Sequence, residues 1–334
     1  MLDILTAVIA TIVFSLAISI PSTSSASSLG LALLNVLGSN CQLSAFVVVW
    51  TTFETSAIAV SHCQSFERTT PNERLPLETV EPNPNWPGKG NIDIKDLRAT
   101  YVLDGPDVLH GINLRIAPGA KIGICGGSGS GKSSFLLSLF RMPENMPGGG
   151  IPIDDVDLAK LPRSVLRERL TAIPQETLII SGPLRENIDP LDTSNAVDIN
   201  SELEKVDLAS LVADRGGIEI KMSDIGLSQA QLQPFAAARP LLRPRKILVV
   251  DEITSSMDHV SEKRTLDLVR TEFEGSTILE VAYRIAAIVD FDMIIVLDVG
   301  RLIESGYQHE LLQRPDEHFK RMWDQQESQD RRAF

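Results

Sequence analysis

Cysteine and positive charge are both scarce in this chain of 334 residues. Its three cysteines are too few and too scattered to form a disulfide framework, so we expect a reducing compartment around the soluble part. Lys and Arg together number 31 against 44 Asp and Glu, which gives a net charge of -13. General nucleic-acid binding needs a basic surface that neutralises phosphates, so this charge balance argues against a nucleic-acid partner.

Charge of either sign is almost absent from the first 50 residues, which contain one acidic residue and no Lys or Arg. Two apolar stretches fill this region, at 4–20 and 29–50, and Pro21 with a Ser/Thr-rich run separates them. At 1.5 Å per residue the first stretch spans roughly 25 Å, near the short limit for a bilayer core. Trp50 ends the second stretch, where interfacial aromatics sit. The pattern predicts a hairpin of two transmembrane helices in membrane lipid.

Two alternatives to this hairpin stay open. The first stretch is also compatible with a signal peptide, although the positively charged n-region of such a peptide is missing. The second stretch is also compatible with a buried helix of a soluble protein. A short Pro- and Ser-rich connection between two stretches of this kind favours the membrane hairpin over both alternatives.

The composition changes after residue 68. Residues 69–90 contain five prolines among Asn and Glu, which is typical of an extended linker. We therefore divide the chain into a membrane part with the start of the linker at 1–68, a Pro-rich linker at 69–90 and a soluble domain at 91–334.

A glycine-rich sequence at 126–133 follows the apolar run Lys121–Cys125, which predicts a buried parallel strand, and precedes a helical pattern. It has the form G-x-x-x-x-G-K-[ST], in which glycines let backbone N–H groups point at phosphates and the next helix adds its positive dipole end. In this pattern the Lys reaches the β- and γ-phosphates and the Ser ligates Mg²⁺. The predicted nucleotide-binding residues are Gly126, Gly127, Ser128, Gly129, Ser130, Gly131, Lys132, Ser133 and Ser134.

A second apolar run, at 246–250, ends in two acidic residues. We expect Asp251 to hold Mg²⁺, directly or through water, at the end of a buried strand. Glu252 stands one residue further on, where a general base could polarise the attacking water. Together with the glycine-rich sequence, this pair predicts MgATP binding and makes hydrolysis chemically feasible.

The order of the predicted elements indicates an α/β core with parallel strands and an inserted helical subdomain, with nucleotide at the carboxyl ends of the strands. In chain order we predict a β-rich region at 92–116, a strand, loop and helix around 121–140, a mainly helical stretch at 161–239, a strand at 246–250, a helix at 261–273, a strand at 277–281 and a hairpin at 293–304.

Several segments, taken with these motifs, resemble the second nucleotide-binding domain of ABC transporters of the C subfamily, the multidrug-resistance-associated type. The resemblance rests on residues 86–90, 173–176, 181–190 and 254–258 and covers nearly the whole chain. It implies an ABC-type ATPase domain of the P-loop NTPase fold, cytosolic and attached to an integral membrane part. The two apolar stretches resemble the last two transmembrane helices of such a transporter.

The resemblance also implies roles for single residues and for partners. Tyr101 matches the aromatic that stacks on adenine, and Gln175 matches the glutamine that meets Mg²⁺ and senses the transmembrane domain. Lys132 would stabilise charge in hydrolysis, with Glu252 as base. Two spanning helices cannot enclose a translocation path, so we expect a truncated or partial transporter that needs further transmembrane helices and a second ABC ATPase domain.

Two features depart from the family pattern: the signature, where Gln229 and Ala230 replace two glycines, and Tyr283. The signature, commonly Leu-Ser-Gly-Gly-Gln, closes over ATP held by the partner domain, and its glycines allow close backbone approach. Tyr283 stands where the family has a His that contacts the γ-phosphate, and Tyr has no cationic form. Losing one such donor typically costs on the order of 10²–10³ in rate. The signature residues of this chain are Ser228, Gln229, Ala230 and Gln231, after Leu227.

Two rival functions therefore stay open beside an ATP-hydrolysing exporter domain. The altered signature and Tyr283 are compatible with a degenerate module that binds MgATP and turns it over slowly. A soluble P-loop protein of another class, such as a DNA-repair ABC ATPase, would share the same loop. The apolar hairpin and the acidic charge count against that second rival.

Overall fold

The computed structural model describes residues 2–19, 26–70, 73, 78–102, 105–145, 149–251, 259–282, 284–314 and 317–330. They form two compact units, Met1–Glu73 and Arg74–Phe334. The second unit thus begins earlier than the domain start at 91 expected from composition. The reason is that part of the Pro-rich segment packs onto the domain: the Trp86 indole nitrogen donates to the Ile153 carbonyl at 2.9 Å.

The first unit consists of helices α1 (Leu2–Ser19) and α2 (Ala26–Thr69). Helix α2 continues well past Trp50, because no Pro or Gly follows until Pro71 and the polar residues beyond it do not break a helix. Among the described residues one helix, Gly30–Thr69, is long and apolar enough to cross a membrane, while Thr6–Leu16 is a shorter apolar helix. Helix α1 contains most of the predicted span at 4–20 and α2 contains the span at 29–50, so both membrane spans stay predictions.

Hydroxyl groups in these helices bond to the backbone of their own helix. In α1 the Thr11 hydroxyl donates to the Ala7 carbonyl at 2.7 Å, and in α2 the Thr55 hydroxyl donates to the Thr51 carbonyl at 2.7 Å. A hydroxyl satisfied in this way is compatible with an apolar environment. The Ser and Thr residues therefore do not count against an apolar surrounding for these helices.

The second unit contains two sheets. The strands are β1 (Ile92–Thr100), β2 (Leu109–Ile116), β3 (Lys121–Cys125), β4 (Glu144–Asn145), β5 (Pro152–Ile153), β6 (Val156–Asp157), β7 (Thr171–Ile173), β8 (Ile247–Asp251), β9 (Thr277–Val281), β10 (Met293–Asp298) and β11 (Arg301–Gly306). In the first sheet, β1 and β2 form an antiparallel pair that continues through β5 to β6, with β4 on β1. The other sheet has the order β11-β10-β3-β9-β8-β7, parallel except for the β10–β11 hairpin.

The α-helices of the second unit are α3 (Lys132–Leu139), α4 (Arg163–Arg169), α5 (Leu184–Ile188), α6 (Ala196–Lys205), α7 (Ala209–Arg215), α8 (Met222–Ile225), α9 (Gln229–Leu241), α10 (His259–Glu272), α11 (Gln308–Gln313) and α12 (His318–Asp330). They cover the parallel sheet and form an inserted subdomain of α5 to α9, whose core includes Ile188, Leu203, Val212 and Phe235. The prediction of an α/β domain with parallel strands and a helical insertion is confirmed. Strand β7 lies inside the stretch predicted as mainly helical, since three residues are too few to show a period.

Candidate functional site

A cavity of about 460 Å³ lies at the carboxyl ends of the parallel strands, a volume typical of small-molecule sites. Strand β3 leads into its glycine-rich wall and strand β8 ends at it. Residues that the sequence predicted separately therefore meet at one place. The predicted nucleotide and metal residues among its lining are Ser128, Gly129, Ser130, Gly131, Lys132, Ser133, Ser134, Gln175 and Asp251.

The glycine-rich wall needs its glycines for conformation and for space. Gly126, Gly129 and Gly131 have φ of 150°, 76° and 97°, values that side chains rarely adopt. A Cβ on Gly126 would stand 2.2 Å from the Leu297 carbonyl oxygen of β10. The loop is thus pressed against the sheet, and presentation of its backbone N–H groups to phosphate stays a prediction of the motif.

Lys132 begins helix α3 and is buried at the base of this loop. Its ammonium group donates to the carbonyls of Gly126 and Gly127 at 2.9 and 2.8 Å. A positive charge is therefore held inside the loop curl. The Ser130 hydroxyl is buried there too, 2% exposed, and has no hydrogen-bond partner among the described residues.

Asp251 faces this charge from the end of β8. Burial raises the pKa of its carboxyl, while a hydrogen bond with the Ser133 side chain and the charge of Lys132 oppose the rise. Gln175 lines the same cavity, and its backbone carbonyl accepts a hydrogen bond from the Gln233 side chain at 2.8 Å. Hydroxyl, carboxylate and amide oxygens are the groups that a hard cation such as Mg²⁺ binds.

Tyr101 follows strand β1 and remains half exposed, at 53%. Its hydroxyl lies 2.9 Å from the hydroxyl of Ser134, in the first turn of α3. The ring therefore stands beside the glycine-rich loop, at a place where a base attached to bound phosphates could reach it. Stacking on adenine stays a prediction.

Other predicted residues lie elsewhere or outside the described part of the chain. Glu252, residues 254–258 and Tyr283 are outside the described residues. The signature begins helix α9, where the Ser228 N–H donates to the Gln231 side-chain oxygen at 3.0 Å. Ser228, Gln229 and Ala230 are exposed and do not line the cavity, and the half-buried Gln231 does not line it either.

Sequence reasoning missed another part of the cavity wall. Asp107, Val108, His110, Val299 and Gly300 belong to it. The Gly300 N–H donates to the Ser130 carbonyl at 3.0 Å, and the Gly300 carbonyl accepts from the His110 N–H at 2.9 Å. The predicted hairpin turn was the only sequence signal for this wall, because its contact with the loop depends on strand order.

Comparison with known proteins places these features in a family. Residues 109–255 match the ABC transporter family. ABC multidrug transporter B of Aspergillus fumigatus is 39% identical over 96% of this chain, and ABC transporter C family member 13 of Oryza sativa subsp. indica is 34% identical over 88%. The chain spans about a fifth of the length of these relatives, 22% and 20%.

A solved structure agrees on the fold. A bacterial Atm1-family ABC exporter with ATP bound matches with a TM-score of 0.82 and 24% identity, over 97% of this chain and 57% of that one. The family match extends from β2 to the segment after β8, and so includes the glycine-rich loop, Gln175, the signature and Asp251. Residues 109–255 are therefore similar to the ABC transporter family, and the fold of the chain agrees with that of an ABC exporter of known structure.

Proposed function

We propose that this domain binds MgATP at the cavity and hydrolyses it, and that the hydrolysis drives a membrane exporter. The observation that carries the proposal is the meeting of the glycine-rich loop with Ser133, Gln175 and Asp251 around one cavity. A phosphate loop alone supports anion binding, whereas the added oxygen and amide groups provide a site for a divalent cation.

The residues fit the proposed ligands. Three loop glycines have positive φ and the buried charge of Lys132 lies inside the curl, which suits a polyphosphate. Ser133, Gln175 and Asp251 would hold Mg²⁺, which supplies positive charge to the phosphates when bound. In the structure the Lys132 ammonium donates to two loop carbonyls, and with ATP bound it would donate to β- and γ-phosphate oxygens.

Hydrolysis would depend on Glu252, which directly follows Asp251 in sequence. As general base Glu252 takes a proton from water while the water oxygen bonds to the γ-phosphorus, and the bond to the β-phosphate oxygen breaks to release ADP. Lys132 stabilises the charge that develops on the phosphates. Tyr283 replaces a family His near this reaction, so we expect turnover below that of ordinary relatives.

The exposed signature and the apolar helices suggest the partners. Ser228, Gln229 and Ala230 are exposed and do not line the cavity of their own domain, which is compatible with contact to ATP bound by a second ABC ATPase domain. Helix α2 would lie in membrane lipid among further transmembrane helices, with the ATPase domain cytosolic. We place the chain in the C subfamily, as its second nucleotide-binding domain, on the sequence motifs and the likeness to a C family member.

The test uses the full chain in detergent and measures radiolabelled ATP binding and phosphate release. We expect binding that Mg²⁺ strengthens and that Lys132→Met weakens by about tenfold or more. Phosphate release should fall to background in Glu252→Gln while ATP binding persists. Absence of saturable ATP binding in the folded chain would overturn the proposal.

A second candidate is a module that binds MgATP with little hydrolysis. It is favoured by Gln229 and Ala230, exposed side chains where the family has glycines. A comparison of phosphate release by the parent chain and by Glu252→Gln separates the two candidates. A module of this kind would bind ATP normally yet release phosphate no faster than its Glu252→Gln variant, whereas a working ATPase would exceed that variant clearly.

A further inference from the structure

Hydrogen bonds between side chains and backbone carbonyls join helix α9 to the segment after β7. The Gln233 side-chain amide donates to the Gln175 carbonyl at 2.8 Å, and the Thr177 hydroxyl donates to the Leu232 carbonyl at 3.2 Å. Arg239, near the end of α9, adds a bond from its guanidinium to the Leu178 carbonyl. Three successive contacts therefore hold the backbone around Gln175 against α9.

Gln233 is the buried member of this group. It is 6% exposed, and its side-chain oxygen has no hydrogen-bond partner among the described residues. An unpaired buried acceptor is unfavourable, and an apolar side chain of similar size would avoid it. The Gln233 amide therefore uses only its NH₂ group, as a donor, and the carbonyl oxygen that accepts this hydrogen bond belongs to Gln175.

The hydrogen bond from Gln233 matters because of where Gln175 lies. Gln175 lines the same cavity as Ser133 and Asp251 and follows the short strand β7, with no helix of its own to fix it. Metal-binding side chains act at the right distance only when their backbone and orientation are fixed by neighbouring hydrogen bonds. In this chain that fixed support comes from α9.

We propose that Gln233 is a positioning residue that holds Gln175 where its side chain reaches Mg²⁺ in the cavity. Gln233 lies two residues beyond the signature residue Gln231, so the same helix that presents the signature also fixes the metal side of its own cavity. This inference rests on the proposed MgATP site.

The experiment compares ATP affinity with Mg²⁺ and with EDTA in the full chain. In Gln233→Leu, the factor by which Mg²⁺ increases ATP affinity should fall by about tenfold, while the ATP affinity in EDTA should stay unchanged. Gln175→Ala should have the same effect, and the double variant should be no worse than Gln175→Ala alone, because both changes act on one contact. Without nucleotide, amide hydrogen exchange at 175–178 should be faster in Gln233→Leu.

Gln326→Leu is the matched control. The Gln326 side-chain oxygen accepts from the Ile285 N–H at 2.8 Å, a comparable glutamine-to-backbone bond that does not involve the cavity. The ratio of ATP affinity with Mg²⁺ to that in EDTA should be the same in Gln326→Leu as in the parent chain. Where Gln233→Leu fails to fold, Gln233→Met and Thr177→Val provide the same measurement.

Each other result overturns the inference. An unchanged Mg²⁺ ratio in Gln233→Leu, or an equal loss in Gln326→Leu, removes the positioning role while leaving the MgATP site intact. An unchanged ratio in Gln175→Ala removes the metal role on which it depends. Failure of the parent chain to bind ATP at all would end the proposed function itself, and this inference with it.

Discussion

Gly126 and Gly127 are neighbours in the phosphate loop with different surroundings. A Cβ on Gly126 would stand 2.2 Å from the Leu297 carbonyl oxygen, whereas a Cβ on Gly127 would meet nothing within 4 Å. Gly126→Ala should therefore destabilise the chain by about 2 kcal/mol or more, and Gly127→Ala should change stability by less than about 0.5 kcal/mol. Thermal unfolding of the two variants without nucleotide measures the difference, and equal midpoints would contradict it.

Asp251 links the charge of the site to its stability. Because burial raises its pKa, its neutral form contributes stability that is complete below the ordinary carboxyl pKa of about 4 and is lost as pH rises through the raised pKa. At neutral pH the ionised carboxylate therefore costs stability in the ligand-free chain. Asp251→Asn should raise the unfolding midpoint at about pH 7, and should weaken ATP binding only when Mg²⁺ is present.

The pH dependence is the control for this explanation. As pH falls from neutral toward the raised pKa, Asp251 takes up a proton, so the difference in midpoint between Asp251→Asn and the parent chain should shrink. The measurement is thermal unfolding in EDTA at several pH values above 4. A difference that stays constant, or an Asn variant less stable at neutral pH, would show that burial of the charge is not the cause.

Single residues also show how far the sequence leads. Lys132, Ser133 and Asp251 were predictable because a phosphate loop and an acidic strand end are local patterns, and strand order brings them to one cavity. Gln233 and Val299 were not, since each reaches the site region through contacts between distant segments. The roles of Glu252 and Tyr283 stay predictions.

At the scale of elements, the segment before β1 is fixed by a buried ion cluster. The Glu78 carboxylate, 2% exposed in its side chain, lies 2.9 Å from the Arg141 guanidinium just after α3 and 3.5 Å from that of Arg163 on α4. Burial lowers the pKa of Arg141, and the charge of Glu78 opposes that effect. The cluster therefore depends on all its members, because removing one leaves buried charge unpaired.

Glu78→Ala should accordingly destabilise the second unit by roughly 3 kcal/mol. Asp93→Ala is the control, since the Asp93 pair with Lys95 at 3.1 Å is mostly exposed on the lysine side and should contribute less than about 1 kcal/mol. Urea unfolding of both variants provides the measurement. A loss for Glu78→Ala no larger than that for Asp93→Ala would mean that the cluster does not fix the segment.

The helices and strands differed in how well their sequence predicted them. The predicted strands at 121–125 and 277–281 coincide with β3 and β9, since short apolar runs before or after turns are strong signals for buried strands. Strand β7 and the extension of α2 past Trp50 were missed. The first is too short for a period, and the second changes from apolar to polar without ceasing to be helical.

At the scale of the whole molecule, the residues that match the ABC transporter family lie in a unit that is larger than the match, Arg74–Phe334. Trp86, 5% exposed, and Glu78 both lie before residue 91 and pack against the rest of the second unit. Composition predicted a linker for their segment, because its high proline content is typical of linkers and gives no sign of the side chains that anchor it. The unit therefore has to be defined by its contacts rather than by its proline content.

Two shortened chains distinguish these definitions of the unit. A fragment of Arg74–Phe334 keeps the Trp86 bond to Ile153 and the Glu78 cluster, and we expect it to unfold cooperatively and to bind ATP. A fragment of 91–334 loses both and leaves Arg141 and Arg163 buried without Glu78, so it should unfold about 10 °C lower or aggregate. Calorimetry with matched ATP-binding assays measures both effects. Equal midpoints would show that the domain is complete from residue 91 and that the anchored segment is a linker after all.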